Sequence, residues 1–292
     1  MRISTMQRIK DFKLVNTLTL MLFTGIWAIP TVSLIVTSLR SQDDANTTGW
    51  WDAFLNPLGQ HWTLDAYRDV FTSDAAMDMG SAFVSTIVVT LPATVLPILI
   101  AAHAAYAFTF LEFKGREYYF AGIVALMVVP LQSALVPVVR GLRMLKEDFG
   151  IEIIGTYPGA WLVHSAFALP LAIYILRNYM MTLPTALIEA ARVDGATYYQ
   201  IFWKLVMPMS IPALASFAIF QFLWVWNDYL IAFIFVPSKP VMTYQILLMM
   251  GQYGAGWQSV AAGSLISLAV PLAVFFGLQR FFIRGLTAGS VK

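Results

Sequence analysis

Apolar residues in this sequence come in long runs. Six of them reach the roughly 20 residues that a helix needs to cross a hydrocarbon core: about 14–38, 82–110, 118–139, 157–176, 209–235 and 259–283. None alternates apolar and polar positions with period two, so the strands of a membrane barrel are not expected. A seventh apolar run, Val241–Met250, is too short to span and sits between Pro240 and Gly251. It reads as an interfacial or re-entrant piece. The first run exceeds the roughly 7–15 residue apolar core of a signal peptide, and no small-residue cleavage site stands out, so it reads as a retained span. Every span carries proline, at 30, 92, 97, 130, 137, 170, 212 and 271. Each proline frees a backbone carbonyl that a neighbouring helix or a water-filled cavity has to satisfy. That suits a transporter, but proline is common in inert membrane helices too.

Composition confirms the class. Of 292 residues, 59% are hydrophobic and 12% charged, against about 25% charged in soluble domains. The expected fold is all-α: a polytopic membrane protein with six transmembrane helices. Net charge is +2, which gives no reason to expect nucleic acid as a partner. The absence of cysteine excludes disulfides, thiolate metal sites and cysteine nucleophiles.

Orientation follows from the basic residues. With the N-terminus inside, twelve of the eighteen lysines and arginines fall on inner segments and six on outer ones, so both termini are expected in the cytoplasm. Arg140, Arg143 and Lys146 are a local exception, partly balanced by Glu147, Asp148 and Glu152. The expected layout is a cytoplasmic N-terminus (1–13), a transmembrane domain (14–283) and a cytoplasmic tail (284–292). An outer loop of about 40–81 carries seven aspartates and Trp50, Trp51 and Trp62. It is long enough to fold a small cap, either as a solvated loop with interfacial aromatics or as a partner-contacting surface.

A charged loop of about 182–208 interrupts the apolar pattern on the inner side. Pro184 is a good first helical residue, and TALIEAARV follows, with Glu189 and Arg192 at i, i+3. Asp194-Gly195 is a turn signal. Thr197 and Gln200 fit a capping box that starts a second helix. Tyr198, Ile201, Phe202 and Leu205 share its apolar face, Gln200 and Lys204 the other, and Met207-Pro208 is expected to end it. The spacing predicts a helix–turn–helix that exposes an apolar face and a few charges. A lipid-surface helix usually has a basic polar face. Here the first helix centres on a glutamate and small alanines, which favours docking of another protein.

The stretch EAARVDGATYYQIFWKLVMP resembles the Glu-Ala-Ala loop of binding-protein-dependent ABC importer permeases, with Glu189, Ala190, Ala191, Gly195, Met207 and Pro208 at the motif positions. LPLAIYILRNYMMTLP, WNDYLIAFIF, AAYAF and QRFFIRGLTAGSVK resemble the carbohydrate-uptake subfamily, in particular the second permease subunit of the maltose-transporter type. The likeness runs over about 85–292. GWWDAF (Gly49–Phe54) resembles permeases for α-glucosides and glucosyl-polyols. The resemblance implies a permease subunit in a bacterial inner membrane that imports a mono-, di- or oligosaccharide by alternating access. It implies four kinds of partner besides membrane lipid: a second homologous permease, two copies of an ABC ATPase carrying the ATP and Mg, an extracytoplasmic sugar-binding protein, and the sugar. Glu189, Ala190, Ala191, Arg192, Asp194 and Gly195 would then form the coupling element that sits in a cleft of the ATPase.

The chain carries no G-x-x-x-x-G-K-[ST] phosphate loop, so no ATP hydrolysis or bound cofactor is expected in it. His61, His103 and His164 lack metal-ligand spacing, and no Ser/His/Asp set can be assembled. Ionisable residues within spans are functional candidates by default. His103 and His164 are each expected to hydrogen-bond a neighbouring helix. Trp224, Asn227 and Asp228 form the best local sugar-contact set, because a ring stacks on the apolar face of a sugar while amide and carboxylate bind hydroxyls. Trp224 and Asp228, four apart, should share a helix face. Three other readings remain at this point: a permease for another solute such as glycerol phosphate or a compatible solute, a gradient-driven carrier or channel acting alone, and a non-transporting membrane scaffold.

Overall fold

The computed structural model describes residues 5–72, 78–250 and 256–287. Residues 1–4 and 288–292 of the terminal segments, 73–77 of the outer loop and Gly251 after the seventh run lie outside the described residues. Within them, every regular element is helical, and the one β interaction is an isolated bridge between Arg40 and Trp62. Four helices are long and apolar enough to cross a membrane, or six spans when each of two bent helix pairs counts as one.

The chain divides into two compact units, residues 1–79 with 246–266, and 80–245 with 267–292. In the first, α1 (Thr5–Ser38) has almost no surface buried within the chain over its apolar part. That surface is left to lipid or another chain. Four short helices follow: α2 (Gln42–Thr47), α3 (Asp52–Leu55), a 3-10 turn (Pro57–Gly59) and α4 (Asp65–Thr72). The loop after α1 thus folds as a cap, organised by Arg40. This side chain is buried, and its guanidinium donates to Gln60 Oε1 (2.7 Å), to the carbonyls of Asp44 (2.9 Å), Gly49 (3.1 Å) and Thr48 (3.3 Å), and to Thr48 Oγ1. Asp52 accepts from the Gln60 amide at 2.8 Å, so a carboxylate polarises the group that faces the cation. Trp51, Phe54, Leu58 and Trp62 remain exposed on the cap.

The second unit starts with α5 (Met79–Phe110, Met79 itself belonging to the first unit). Then come α6 (Arg116–Ala125) with a 3-10 turn to Val128, α7 (Leu131–Phe149) and α8 (Tyr157–Met180). The run expected as one span at 118–139 is instead broken by a 105° bend between Val128 and Leu131. Pro130 explains it: Val129 before it is extended, and Pro130 itself, with ψ 133°, starts α7 as its N-cap. The hairpin α9 (Thr185–Val193), α10 (Tyr198–Ile201) and α11 (Met207–Met209) follows. The run expected at 209–235 also breaks. It forms α12 (Ile211–Trp226) and, after Asn227–Tyr229, a short α13 (Leu230–Phe235). α14 (Met242–Leu248), the short helix of the seventh run, and α15 (Trp257–Thr287) are each divided between the units, their residues within 246–266 belonging to the first.

Three of the prolines show how irregular helices are tolerated here. Pro92, Pro97 and Pro271 lie inside helices and strip the i−4 carbonyls of Val88, Ala93 and Ser267 of their partner. A side-chain donor from another helix fills each gap. Trp161 Nε1 reaches Val88 O at 2.8 Å, Gln221 Nε2 reaches Ala93 O at 3.1 Å, and Trp226 Nε1 reaches Ser267 O at 3.1 Å.

Candidate functional site

The hairpin of α9 to α11 is built as its sequence pattern predicts, up to its end. α9 closes in a Schellman motif: Gly195 N–H bonds Arg192 O at 3.0 Å and Ala196 N–H bonds Ala191 O at 2.9 Å. This requires the left-handed backbone that Gly195 adopts, φ +82°. Thr197 and Gln200 form the capping box reciprocally. Pro184 is the N-cap of α9 rather than its first residue. The second helix does not stop at Met207-Pro208. Its middle, Phe202–Val206, is a π-helical turn in which Met207 N–H bonds Phe202 O, and the helix runs to Met209 before a 70° bend into α12. The wider turn accommodates Pro208, which has no N–H to give.

Most of the apolar face of this second helix turns inward, contrary to expectation, and of its residues only Tyr198 stays exposed. Ile201, Phe202 and Val206 are buried together with Ile188 of α9, against Ala102, Ala105 and Tyr106 of α5 and Leu176 and Met180 of α8. The amphipathic face packs inward because α5 and α8 present small and apolar residues there. The hairpin instead exposes Glu189, Ala190, Arg192, Val193, Asp194, Gly195, Tyr198 and Tyr199, with Ala191 half-buried. Arg192 also bonds its own chain: Nη2 donates to Phe110 O at 2.9 Å, and the guanidinium carbon stands 5.6 Å from the Tyr198 ring centre. Arg177 and Arg116 add bonds to Phe108 O (3.4 Å) and Leu111 O (3.2 Å). Three guanidinium groups thus gather on the negative end of α5. Tyr106 Oη donates to Tyr198 O (3.3 Å), and Tyr179 Oη to Met209 O (3.2 Å). The hairpin is therefore tied to α5 and α8 by both packing and hydrogen bonds.

A cavity of about 380 Å³ lies among α7, α8 and α12, lined by Gln132, His164, Phe167, Phe217, Gln221 and Trp224 among others. No lysine, arginine, aspartate or glutamate lines it. Trp224 stands at its wall and is exposed. Asn227 and Asp228 do not line it. α12 ends at Trp226, so Trp224 and Asp228 do not share a helix face as expected. Asn227 Nδ2 donates to Leu223 O (2.8 Å) and closes α12. Asp228 Oδ2 accepts from the N–H groups of Ile231 (2.9 Å) and Ala232 (3.1 Å) and so caps α13, while its carbonyl accepts from Thr243 Oγ1 (2.7 Å). Trp226 is buried, stacked on Phe222 and edge-on to Phe83.

The two intramembrane histidines depart from expectation. His103 Nδ1 bonds Leu99 O of its own helix at 2.8 Å and its ring packs on Phe202. His164 is buried with neither ring nitrogen hydrogen-bonded, and Asp228 Oδ2 is 3.7 Å from its Nε2. Gln132 and Gln221 escaped the sequence reading. Their signal was an amide inside otherwise apolar runs. Among the described residues, no group of three or more His, Cys, Asp or Glu could hold a metal.

Comparison with known proteins is consistent across sequence and fold. Residues 73–288 match the family model described as binding-protein-dependent transport system inner membrane component. The chain is 48% identical to the osmoprotective compounds uptake permease protein of Synechocystis sp. over 91% of this chain and 88% of that one. It is also 48% identical to the alpha-glucoside transport system permease protein of Rhizobium meliloti, over 79% of this chain and 60% of that one. The fold matches a chain of a bacterial ABC transporter involved in import of the acidic polysaccharide alginate, with TM-score 0.74, 21% identity and coverage of 96% and 98% of the two chains. A helical membrane chain with a Glu-Ala-Ala hairpin anchored on its core, matched over most of its length, belongs to the family of binding-protein-dependent transport system inner membrane components.

Proposed function

We propose that this chain is one of two permease subunits of an ABC importer that carries an uncharged sugar, an α-glucoside in the first instance, into the cytoplasm by alternating access. The observation that carries the reading is the hairpin. Its outer face presents Glu189, Ala190, Asp194 and Gly195 to a partner, while Ile188, Ile201 and Phe202 fix it to α5 and α8. A push on such an element is passed to the spanning helices. In this reading the hairpin and both termini lie on the cytoplasmic side, and each ATPase copy, holding ATP and Mg, receives one hairpin from a permease. Glu189 is the charged contact and Gly195 permits the turn. Arg192 contributes from within by fixing α9 to the end of α5. The mostly unburied α1 is available to lipid or to the second permease, and an extracytoplasmic binding protein delivers the sugar.

The sugar assignment draws on the alpha-glucoside permease relative and on a cavity with an aromatic ring, amides and no charged residue in its lining. That lining argues against glycerol phosphate, which calls for cationic partners. The 48% likeness to an osmoprotective compounds uptake permease favours a second reading, a compatible solute as cargo. A carrier that works alone is disfavoured, because the paired intramembrane carboxylates expected of gradient coupling are not found among the described residues. The test is a mild-detergent pull-down of the tagged chain with mass spectrometry of what copurifies. A P-loop ATPase and a second permease are expected, and the chain emerging alone and folded would overturn the reading. Uptake assays with an α-glucoside and with glycine betaine then separate the two cargoes.

A further inference from the structure

We propose that the apolar groove between the α6–α7 bend and α8 binds one acyl chain of a membrane phospholipid, a phosphatidylethanolamine, whose phosphate rests on Arg143 and whose ammonium group faces Glu147. The site is distinct from the cavity at Trp224. Met127, Val129 and Phe167 line both and form the wall between them.

Shape and lining point to an acyl chain. The groove has a volume of about 310 Å³, and every residue that lines it is apolar. The 105° bend between Val128 and Leu131 opens it by swinging α7 away from the line of α6. Leu126, Val129, Leu162 and Ala166 on its walls are exposed. The groove therefore opens to what surrounds the chain, which beside a spanning helix is hydrocarbon. Along α8 it runs from Leu162 to Pro170, about 12 Å of helix rise. That is close to one leaflet's share of a hydrocarbon core about 30 Å thick. Leu162 lies just inside the start of α8 at Tyr157, so the groove begins near the membrane boundary and runs inward. An acyl chain of one leaflet has that depth and that polarity.

α7 supplies the headgroup end. A helix turned 105° from one that follows the membrane normal runs along the surface. α7 has the sequence for that placement. Val138 and Leu142, four apart on one face, line the groove. Arg140, Arg143, Lys146, Glu147 and Asp148 crowd the second half of the helix, where hydrocarbon would not tolerate them. Helical spacing puts Arg143 and Lys146 on the flank next to Leu142 and Arg140 on the far side. Lys146 is already paired with Glu152. Arg143 and Glu147, one turn apart, are both exposed, and among the described residues neither side chain has a hydrogen bond or ion pair. The three basic residues are matched by Glu147, Asp148 and Glu152, so no excess of one sign favours a purely anionic ligand. A zwitterionic headgroup complements the free pair. The guanidinium takes a phosphate through parallel N–H donors, and the carboxylate takes the ammonium.

The test uses the assembled transporter in mild detergent and native mass spectrometry, with phosphatidylethanolamine and phosphatidylglycerol of matched chains as probes. Phosphatidylethanolamine is expected to bind more tightly than phosphatidylglycerol. Arg143→Gln should weaken its first binding event by about 10-fold, as loss of a charge-assisted contact does, and Ala166→Trp, which fills the groove, by about as much or more. Arg140→Gln, on the far side of α7, should stay within about 2-fold of wild type. All three positions are exposed, so no variant removes a buried group. Phosphatidylethanolamine with a photoactivatable diazirine on its acyl chain should label peptides within 126–142 or 162–170 in the wild type and not in Ala166→Trp. Lipid affinity unchanged in Ala166→Trp would overturn the groove as the site. Phosphatidylglycerol binding as tightly as phosphatidylethanolamine would overturn the headgroup match. No label on these peptides, as when the second permease covers the groove, would overturn the proposal outright. None of these outcomes bears on the cargo.

Discussion

The cap after α1 and the α9–α11 hairpin are both charged interruptions in an apolar chain, yet they are held in opposite ways. The cap is stabilised from within. Arg40 is buried, and its guanidinium bonds Asp44, Thr48, Gly49 and Gln60 inside the segment 44–60, with Ser41 N bonding His61 O and Thr63 N bonding Leu39 O to close it. The hairpin is stabilised from outside itself, through Ile188, Ile201, Phe202 and Val206 in the core shared with α5 and α8. A self-contained element can be disturbed without informing the rest of the chain. An element whose packing is borrowed from two spanning helices cannot move without moving them. That distinction suits one to presenting a surface and the other to transmitting force.

The sharpest way to break the comparison is at Gly195. Proline there has φ fixed near −65°, whereas the turn holds +82°, and the 3.0 Å bond from the Gly195 N–H is lost. Gly195→Pro is expected to bring uptake down to that of membranes lacking the protein, with the inserted amount unchanged on an immunoblot. Glu189→Arg should do the same without altering the turn. Normal uptake in either variant would remove the coupling role.

The next largest effect is at the anchor. Phe202 is buried between the hairpin and α5, its ring 4.3 Å from His103 and 5.2 Å from Tyr106 between centroids. Truncating a buried phenylalanine costs about 3–5 kcal/mol. Phe202→Ala should raise amide exchange across residues 185–206 and weaken retention of the ATPase in a pull-down, while exchange in the cap stays as it was. Protection retained in the hairpin would mean that it does not depend on the core for its position.

Much of the hairpin was legible in the sequence, because its signals are local. Gly195, the Thr197–Gln200 capping box and the helix formers around Glu189 each specify their own conformation. The direction of the apolar face was not legible, since Ile201 and Phe202 face inward only because α5 offers Ala102 and Ala105 opposite them. The break at Pro130 and the early end of α12 were also hidden. Hydropathy counts apolar residues, and Val129, Leu131 and Leu230 count the same in a bent chain as in a straight one. The set expected around Trp224 is not brought together, for the same reason. A four-residue spacing places Asp228 beside Trp224 only if the helix continues, and here Asn227 ends it. The cap was expected only as a loop long enough to fold. Arg40, its organising residue, looks in the sequence like any basic residue after a span.

Arg40 sharpens the comparison from the other side. Arg40→Leu leaves the buried acceptors at Asp44, Thr48, Gly49 and Gln60 without their donor, a local loss of about 2–4 kcal/mol if the unpaired groups cost about 1–3 kcal/mol each and water reaches some of them. Protease cleavage within 42–62 should appear, while exchange in 185–206 remains at the wild-type level. If the hairpin loosened as well, the cap would not be the self-contained element that its hydrogen bonds describe.

The smallest effect is the acid response of the cap. Asp44 Oδ2 accepts from the backbone N–H of His61 at 2.7 Å, and this bond, helped by Ser41 and the His61 ring, holds the carboxyl below its ordinary value of 3.8 against a weaker opposing effect of burial. A carboxyl depressed in the folded state stabilises the fold above its unfolded value, and that contribution disappears as pH falls through the folded value. The Asp44 contribution is therefore fully present at neutral pH, begins to fall only near 3.8, and is lost below it. The protection factors over 41–63, which divide out the intrinsic pH dependence of exchange, should be flat from about pH 7 to about pH 5 and fall only under stronger acid, as protonation removes the carboxylate acceptor. Asp44→Asn should flatten that fall, because an amide oxygen accepts the same N–H without titrating. A loss of protection already complete at pH 5 would assign the response to another group and leave the Asp44–His61 bond a matter of geometry alone.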